Sequence, residues 1–163
     1  MNITNIKVSV IGLGYVGLPL TLSFGKKFNT VAYDVNMERI EELKKSFDRN
    51  NEHTQLEFKK SIKVKFTSDP KNLEECQVYI VTVPTPIDKK NIPDLSHLRS
   101  ASKLIAGLLK KKNIVIYEST VYPGATEEIC APILERYSKL KYNKDFFCGY
   151  SPERINPGDK ERT

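Results

Sequence analysis

The first fifth of the chain carries a pattern that few folds accommodate. An apolar run at residues 6–11 leads into the glycine turn GLGYVG at residues 12–17. A helix-like stretch follows, and a second apolar run at residues 30–33 stops at Asp34. Strand, glycine turn, helix, strand and acid in this order are the layout of a dinucleotide-binding unit. A lone glycine turn is weak evidence, but here every flanking element is present.

Each glycine has its own role in such a turn. Gly12 permits the tight bend, Gly14 has no side chain to block a pyrophosphate, and Gly17 lets the helix pack close to the strand. The start of the helix offers N–H groups and a partial positive charge to the phosphates. These features predict a bound dinucleotide. An ordinary glycine turn and a phosphate loop for another ligand are the alternatives.

Asp34 stands where a carboxylate would accept a hydrogen bond from a ribose 2′-hydroxyl. Because a carboxylate would repel a 2′-phosphate, we expect NAD rather than NADP as the cofactor. The role of Arg39 has three alternatives. It could cover the adenine edge, bind a phosphate, or be a solvated helix charge paired with Glu38 or Glu42.

Composition narrows the class of protein. The 163 residues are 39% hydrophobic and 28% charged, which suits one globular domain. No apolar run approaches the roughly 20 residues that span a bilayer, and the N-terminus lacks a signal-peptide pattern. We therefore expect a cytoplasmic protein without a membrane partner. The net charge of +6 comes from scattered lysine groups without interleaved aromatic residues, so we expect no nucleic-acid partner.

The cysteines and histidines indicate neither a nucleophile nor a metal site. Cys76, Cys130 and Cys148 are odd in number and widely spaced, which argues against disulfides and zinc. We expect Cys130 and Cys148 to be small buried hydrophobic residues. His53 and His97 have no evident His, Cys or carboxylate partner at ligand spacing, so we assign no metal.

Strand and helix signals alternate along the whole chain, which predicts an α/β fold. We expect a Rossmann-like, doubly wound parallel sheet of about six strands in the order 3-2-1-4-5-6, with helices on both faces. The predicted strands cover residues 6–11, 30–34, 62–67, 77–83, 113–118 and 145–150. The predicted helices cover residues 15–27, 36–46, about 94–111 and 124–138, and residues 47–61 are an ambiguous loop with perhaps one short helix.

Ligands of open parallel sheets bind beyond the carboxyl ends of the strands. That edge would bring the hydroxyls of Thr85 and Thr120 and the carboxylate of Glu153 to one crevice. Each has a structural alternative. Thr85 could shape a turn between two prolines, Ser119 and Thr120 could cap the next helix, and Glu153 could pair with Arg154.

Four motifs in fixed order make the interpretation more specific. They are IGLGYVGLP at residues 11–19, VPTP at 83–86, YESTVYPGATE at 117–127 and GYSPERINPGD at 149–159. With them the chain resembles the N-terminal domain of the nucleotide-sugar 6-dehydrogenase family, which includes UDP-glucose and GDP-mannose dehydrogenases. The resemblance implies oxidation of a sugar C6 hydroxyl to a carboxylate with two NAD molecules, through a thioester on a cysteine.

The resemblance also implies roles for individual residues. Thr120 would help to position a water or the C6 oxygen, and Glu153 would be the general base that hydrolyses the thioester. The residues expected to contact NAD are Gly12, Leu13, Gly14, Tyr15, Val16, Asp34, Arg39, Val83, Pro84, Thr85, Glu118, Ser119 and Thr120.

The residues after Glu153 point to a branch of the family. Glucose-type enzymes carry a Phe-Leu-Arg-Glu run there, whereas this chain carries RINPGD and has Pro157 in place of the second glutamate. The run is similar to the branch that acts on UDP-N-acetylhexosamines for capsule and Vi-type polysaccharides. Glu153 and Arg154 would then contact the UDP-sugar, although an ion pair between them is the alternative. UDP-glucose or GDP-mannose stays the alternative substrate.

The family's nucleophilic cysteine has no match in the chain. We therefore expect residues 1–163 to be an NAD-binding Rossmann domain cut from a longer protein, without the central helix and the C-terminal nucleotide-sugar domain, and inactive alone. The whole protein would be a homodimer. A free-standing NAD-binding regulatory module and a different two-domain dehydrogenase, of 3-hydroxyacyl or 6-phosphogluconate type, are the competing hypotheses.

Overall fold

A computed structural model describes residues 5–89 and 91–152 and contains a six-stranded parallel sheet. The strand order is β3-β2-β1-β4-β5-β6, as the sequence predicted. The strands are β1 (Lys7–Ile11), β2 (Asn29–Tyr33), β3 (Val64–Thr67), β4 (Val78–Val81), β5 (Ile114–Tyr117) and β6 (Phe147–Tyr150).

Helices cover both faces of this sheet. They are α1 (Gly17–Phe24), α2 (Met37–Lys44), α3 (Gln55–Lys60), α4 (Ser96–Ala106) and α5 (Ala131–Ser138). One core cluster joins Val10 of β1 and Ile80 of β4 to the buried sides of α1, α2 and α3. A second cluster joins Tyr79 and Val81 of β4 to α4 and α5. Successive residues of β4 thus face opposite layers, as expected of a central strand that is buried on both sides.

The strand register aligns the carboxyl ends of the strands. Ile11, the last residue of β1, lies opposite Tyr33 of β2 and Val81 of β4. Val81 in turn lies opposite Tyr117, and Tyr117 opposite Tyr150. The glycine turn and the loops after β2, β4 and β5 therefore leave the sheet at one edge.

Element boundaries differ from the prediction where a tertiary contact or a proline intervenes. β3 begins at Val64 rather than at residue 62, and Ile62 is 80% exposed. The ambiguous segment contains α3, which begins with a capping box between Thr54 and Glu57. The predicted helix at 124–138 opens with a π-helical turn, Thr126–Cys130. Pro132 follows it, and a proline has no N–H to continue an α-helical hydrogen-bond ladder.

Within residues 5–89 and 91–152, no helix is long and apolar enough to cross a membrane.

Candidate functional site

The residues predicted to contact a cofactor all line one cavity of about 600 Å³. It opens at the carboxyl ends of β1, β2, β4 and β5, and its volume is in the usual range for small-molecule sites. Its walls come from the glycine turn, from Asp34, and from the loops that begin at Thr82 and Glu118. The topology therefore brings together the residues that the sequence placed at this edge.

The three glycines of the turn differ in the space around them. A Cβ on Gly12 or Gly17 would contact neighbouring atoms, whereas a Cβ on Gly14 would not. Gly12 has a φ of +96°, in the left-handed region that favours glycine. A Cβ on Gly17 would lie 1.8 Å from the carbonyl oxygen of Gly12, so α1 packs directly on the turn. The hydroxyl of Thr82 donates to the same Gly12 carbonyl at 2.7 Å. A Cβ on Gly14, in contrast, would meet no atom within 4 Å. The space above Gly14 is therefore open to a ligand.

Asp34 is fixed at the end of β2 by two backbone donors. Leu13 N–H donates to Oδ2 at 2.7 Å, and Asn36 N–H donates to Oδ1 at 2.9 Å. The Asn36 side chain in turn caps α2 by accepting the N–H of Arg39 at 3.1 Å. A carboxylate has about four acceptor positions. Asp34 thus keeps capacity to accept a hydroxyl at the cavity wall.

Arg39 is not the solvated helix charge that was one of its sequence alternatives. The residue is only 6% exposed. Its Nε donates to the carbonyl oxygen of Leu13 at 3.1 Å, and its Nη2 donates to Oδ1 of Asp48 at 2.8 Å. Glu42, a predicted partner, lies 3.7 Å from Nη1. Arg39 therefore joins α2 to the glycine turn beside the cavity.

Two neighbouring loops are tied together at the other end of the cavity. The Ser119 hydroxyl donates to the Val83 carbonyl at 2.7 Å, and the Thr85 hydroxyl donates to the Thr120 carbonyl at 2.5 Å. Ser119 is buried, whereas Thr120 is exposed. Both hydroxyls thus link the two loops, a structural role that differs from the helix cap and the proline turn that were their alternatives. Their contact with a cofactor stays a prediction.

Eleven lining residues were not predicted to contact the cofactor, and most of those outside the predicted strand ends lie in two segments. Arg49 and Asn50 come from the segment between α2 and α3, and His97, Ser100 and Leu104 come from α4. The α4 residues follow one another at spacings of three and four, which indicates one side of a helix. That signal was visible in the sequence, but no residue of this helix was predicted to belong to the site.

The thiols lie away from the cavity. Burial raises the pKa of Cys76 to about 11 and that of Cys148 to about 12, and it also raises the pKa of Cys130. A thiol with so high a pKa carries very little thiolate at neutral pH and is a poor nucleophile. Cys130 is buried as predicted, whereas Cys148 is partly exposed.

No group of three or more His, Cys, Asp or Glu side chains that could hold a metal occurs in the described part of the chain. His53 nevertheless has a carboxylate partner, although the sequence predicted none at ligand spacing. Its Nδ1 lies 3.2 Å from Oε1 of Glu57, one helical turn further on. This contact corrects the prediction about the surroundings of His53.

Two predicted site residues, Glu153 and Arg154, lie outside the described residues. The chain that leads to them leaves β6 at the same edge as the cavity, where Ser151 N–H donates to the Tyr117 carbonyl at 3.0 Å.

A parallel sheet in this order, with a glycine turn before α1 and an acid after β2, defines a dinucleotide-binding domain of the doubly wound class. The profile of the UDP-glucose/GDP-mannose dehydrogenase family, NAD binding domain, matches residues 6–161. The chain belongs to this family and is an NAD-binding domain of it.

Individual relatives agree with this assignment. The chain is 57% identical over 157 residues to a UDP-N-acetyl-D-glucosamine 6-dehydrogenase of Pseudomonas aeruginosa, covering 96% of this chain and 37% of that protein. It is 53% identical to the enzyme of the same name from Salmonella typhi, covering 98% and 37%. Among solved structures, a UDP-D-ManNAc dehydrogenase from Pyrococcus horikoshii matches with a TM-score of 0.88 at 32% identity, covering 94% and 37%. The chain thus spans little more than a third of the length of these relatives.

Proposed function

We propose that this chain is the cofactor half of an enzyme that oxidises the C6 hydroxyl of a UDP-N-acetylhexosamine to a carboxylate, for polysaccharide synthesis. The observation that carries the proposal is the 57% identity to a relative named UDP-N-acetyl-D-glucosamine 6-dehydrogenase. Relatives named UDP-N-acetyl-D-mannosamine dehydrogenase match less well, at 32–35% over a similar length. The identity therefore favours UDP-N-acetylglucosamine over UDP-N-acetylmannosamine, and UDP-N-acetylgalactosamine, the C4 epimer, stays a candidate substrate.

The cavity fits the cofactor that the family uses. Bound NAD would supply the acceptor for the hydride that leaves C6. Asp34 would accept a hydroxyl of the adenosine ribose, and the open space at Gly14 would admit the pyrophosphate. Leu18 N–H already donates to the Gly14 carbonyl at 3.1 Å, and Pro19 has no N–H. The positive end of α1 and the N–H groups that precede Leu18 would therefore face the phosphate oxygens. Thr85 and Thr120 lie toward the loops after β4 and β5, where we place the nicotinamide half.

The remaining site roles extend this proposal beyond the described residues. Glu153 would serve as general base for hydrolysis of the thioester, and Arg154 would contact the sugar or its phosphates. Thr120, which is exposed at the cavity, would position a water or the C6 oxygen. A homodimeric whole protein in the cytoplasm stays part of the prediction.

The 163-residue chain alone is expected to produce no NADH from any nucleotide sugar. The covalent step needs a thiolate, and burial raises the pKa of all three cysteines of this chain. The protein encoded by the complete gene is expected to reduce two NAD molecules per UDP-N-acetylglucosamine or UDP-N-acetylgalactosamine. The measurement is NADH absorbance with both proteins and a panel that also contains UDP-glucose and GDP-mannose.

Three outcomes would contradict the proposal. NADH formation by the isolated chain would show that its own residues complete the chemistry. Silence of the complete protein on every sugar would favour a regulatory NAD-binding module, as would a stop codon directly after residue 163. Faster turnover of UDP-glucose or GDP-mannose than of the N-acetylhexosamines would move the protein to another branch of the family.

A further inference from the structure

A buried carboxylate organises the segment between α2 and α3. The side chain of Asp48 is 1% exposed. It accepts Nη2 of Arg39 at 2.8 Å and the backbone N–H groups of Asn50 at 3.2 Å, Glu52 at 3.1 Å and His53 at 3.2 Å. One carboxylate therefore folds residues 48–53 around itself and ties them to α2.

This carboxylate is charged at neutral pH. Burial alone would raise the pKa of Asp48, but the hydrogen bonds from Arg39 and from the N–H groups of Asn50 and Glu52 outweigh burial, so the pKa lies below its usual range. A buried ion pair is weak evidence for stability, because desolvation offsets much of the attraction. The Asp48–Arg39 pair is therefore considered for the groups that it holds in place rather than for the stability that it adds.

The pair holds the wall of the dinucleotide cavity. Arg39 Nε donates to the Leu13 carbonyl of the glycine turn, and Nη2 donates to Asp48. These two hydrogen bonds fix the plane of the guanidinium. Its Nη1 is buried, and it lies 3.7 Å from Oε2 of Glu42, an ion-pair distance that is too long for a hydrogen bond. Arg49 and Asn50 follow Asp48 directly and line the same cavity, and Arg49 Nε donates to Glu42 of α2 at 2.6 Å.

We infer that Asp48 is a positioning residue for the adenosine half of the dinucleotide. It locks Arg39 against the glycine turn and places Arg49 and Asn50 as an additional wall of the adenosine subsite. A guanidinium held in one plane can stack on an aromatic ring, and Arg39 lines the cavity at this wall. The inference rests on the proposed NAD-binding function and adds to it a segment outside the glycine turn.

The test uses the complete 163-residue chain and calorimetric titration with three probes. NAD is the whole cofactor, ADP-ribose lacks the nicotinamide ring, and nicotinamide mononucleotide lacks the adenosine half. Asp48→Asn removes the charge that holds Arg39. We expect about a tenfold or larger rise in the dissociation constants of NAD and ADP-ribose, the usual size for loss of a charge-assisted hydrogen bond, and no change for nicotinamide mononucleotide.

Controls separate positioning from loss of folding. Asp145→Asn is the matched variant, because Asp145 likewise accepts a backbone N–H, from Lys141 at 3.0 Å, and does not line the cavity. It should leave all three affinities unchanged. The double variant Asp48→Asn, Arg39→Gln leaves no charge buried without a partner, so its thermal stability should exceed that of Asp48→Asn while its NAD binding stays weak. Arg49→Ala changes an exposed side chain and keeps the fold, and it should weaken the binding of NAD and ADP-ribose but not that of nicotinamide mononucleotide.

The outcomes are distinct. If the unaltered chain binds neither NAD nor ADP-ribose, the proposed function fails, and the inference fails with it. If the unaltered chain binds both and Asp48→Asn and Arg49→Ala bind them equally well, only the inference fails. Full NAD affinity in the double variant would likewise reduce Asp48 to a structural residue.

Discussion

Replacement of Gly17 by alanine is expected to destabilise the chain by about 3 kcal/mol or more, at the upper end of overpacking effects. The added Cβ would lie 1.8 Å from the carbonyl oxygen of Gly12 and 2.6 Å from Oγ1 of Thr82. The first contact is with backbone, and the Thr82 hydroxyl holds that carbonyl at 2.7 Å. The turn therefore has no flexible atom that could move away. The roughly 1 kcal/mol that alanine gains over glycine in helix propensity does not offset such a clash.

Urea unfolding followed by circular dichroism measures this effect, and Gly107→Ala provides the matched control. Gly107 follows α4 with an ordinary helical backbone, and a Cβ there would meet only the Leu104 carbonyl oxygen, at 3.5 Å. That substitution should be neutral or stabilise by up to about 1 kcal/mol. An unfolding midpoint of Gly17→Ala equal to that of the unaltered chain would show that α1 does not pack on the turn as described.

Replacement of Gly14 by alanine is expected to leave the stability of the fold nearly unchanged and to weaken the binding of NAD. Its Cβ would meet no atom within 4 Å, and the φ of Gly14 lies outside the left-handed region, so the free energy of unfolding should change by no more than about 0.5 kcal/mol. The methyl group would occupy the open space where we place the pyrophosphate. We expect NAD to bind about tenfold more weakly or worse, because charge-assisted hydrogen bonds to phosphate are each worth roughly 1.5–3 kcal/mol.

The two glycines thus separate folding from binding within one turn. Thermal unfolding and NAD titration on both variants give the comparison directly. If Gly14→Ala is stable and binds NAD as tightly as the unaltered chain, the pyrophosphate does not lie over the glycine turn. The proposed orientation of the cofactor in the cavity would then have to change.

The sequence was sufficient for the sheet order and for most of the cavity. Glycines with distinct steric roles, an acid at the end of β2 and six apolar runs are local signals, and right-handed crossovers leave few ways to connect them. The structure confirms the strand order, and every residue predicted to contact NAD lies at the cavity. Their contact with NAD stays a prediction.

What the sequence did not indicate depends on contacts between distant segments. Asp48 sits in a polar stretch without periodicity, and its importance appears only when Arg39 and three backbone N–H groups meet at its carboxylate. Ile62 extends an alternating pattern with Val64 and Phe66, yet it lies before β3 because the pairing with β2 begins at Val64. Local patterns do not encode such partners.

Titration of the 163-residue chain with NAD and with NADP tests the central claim most directly. We expect NAD to saturate one site and NADP to bind at least about tenfold more weakly, because the carboxylate of Asp34 would repel a 2′-phosphate. Binding of neither nucleotide, or tighter binding of NADP, would contradict the assignment of this cavity as an NAD site.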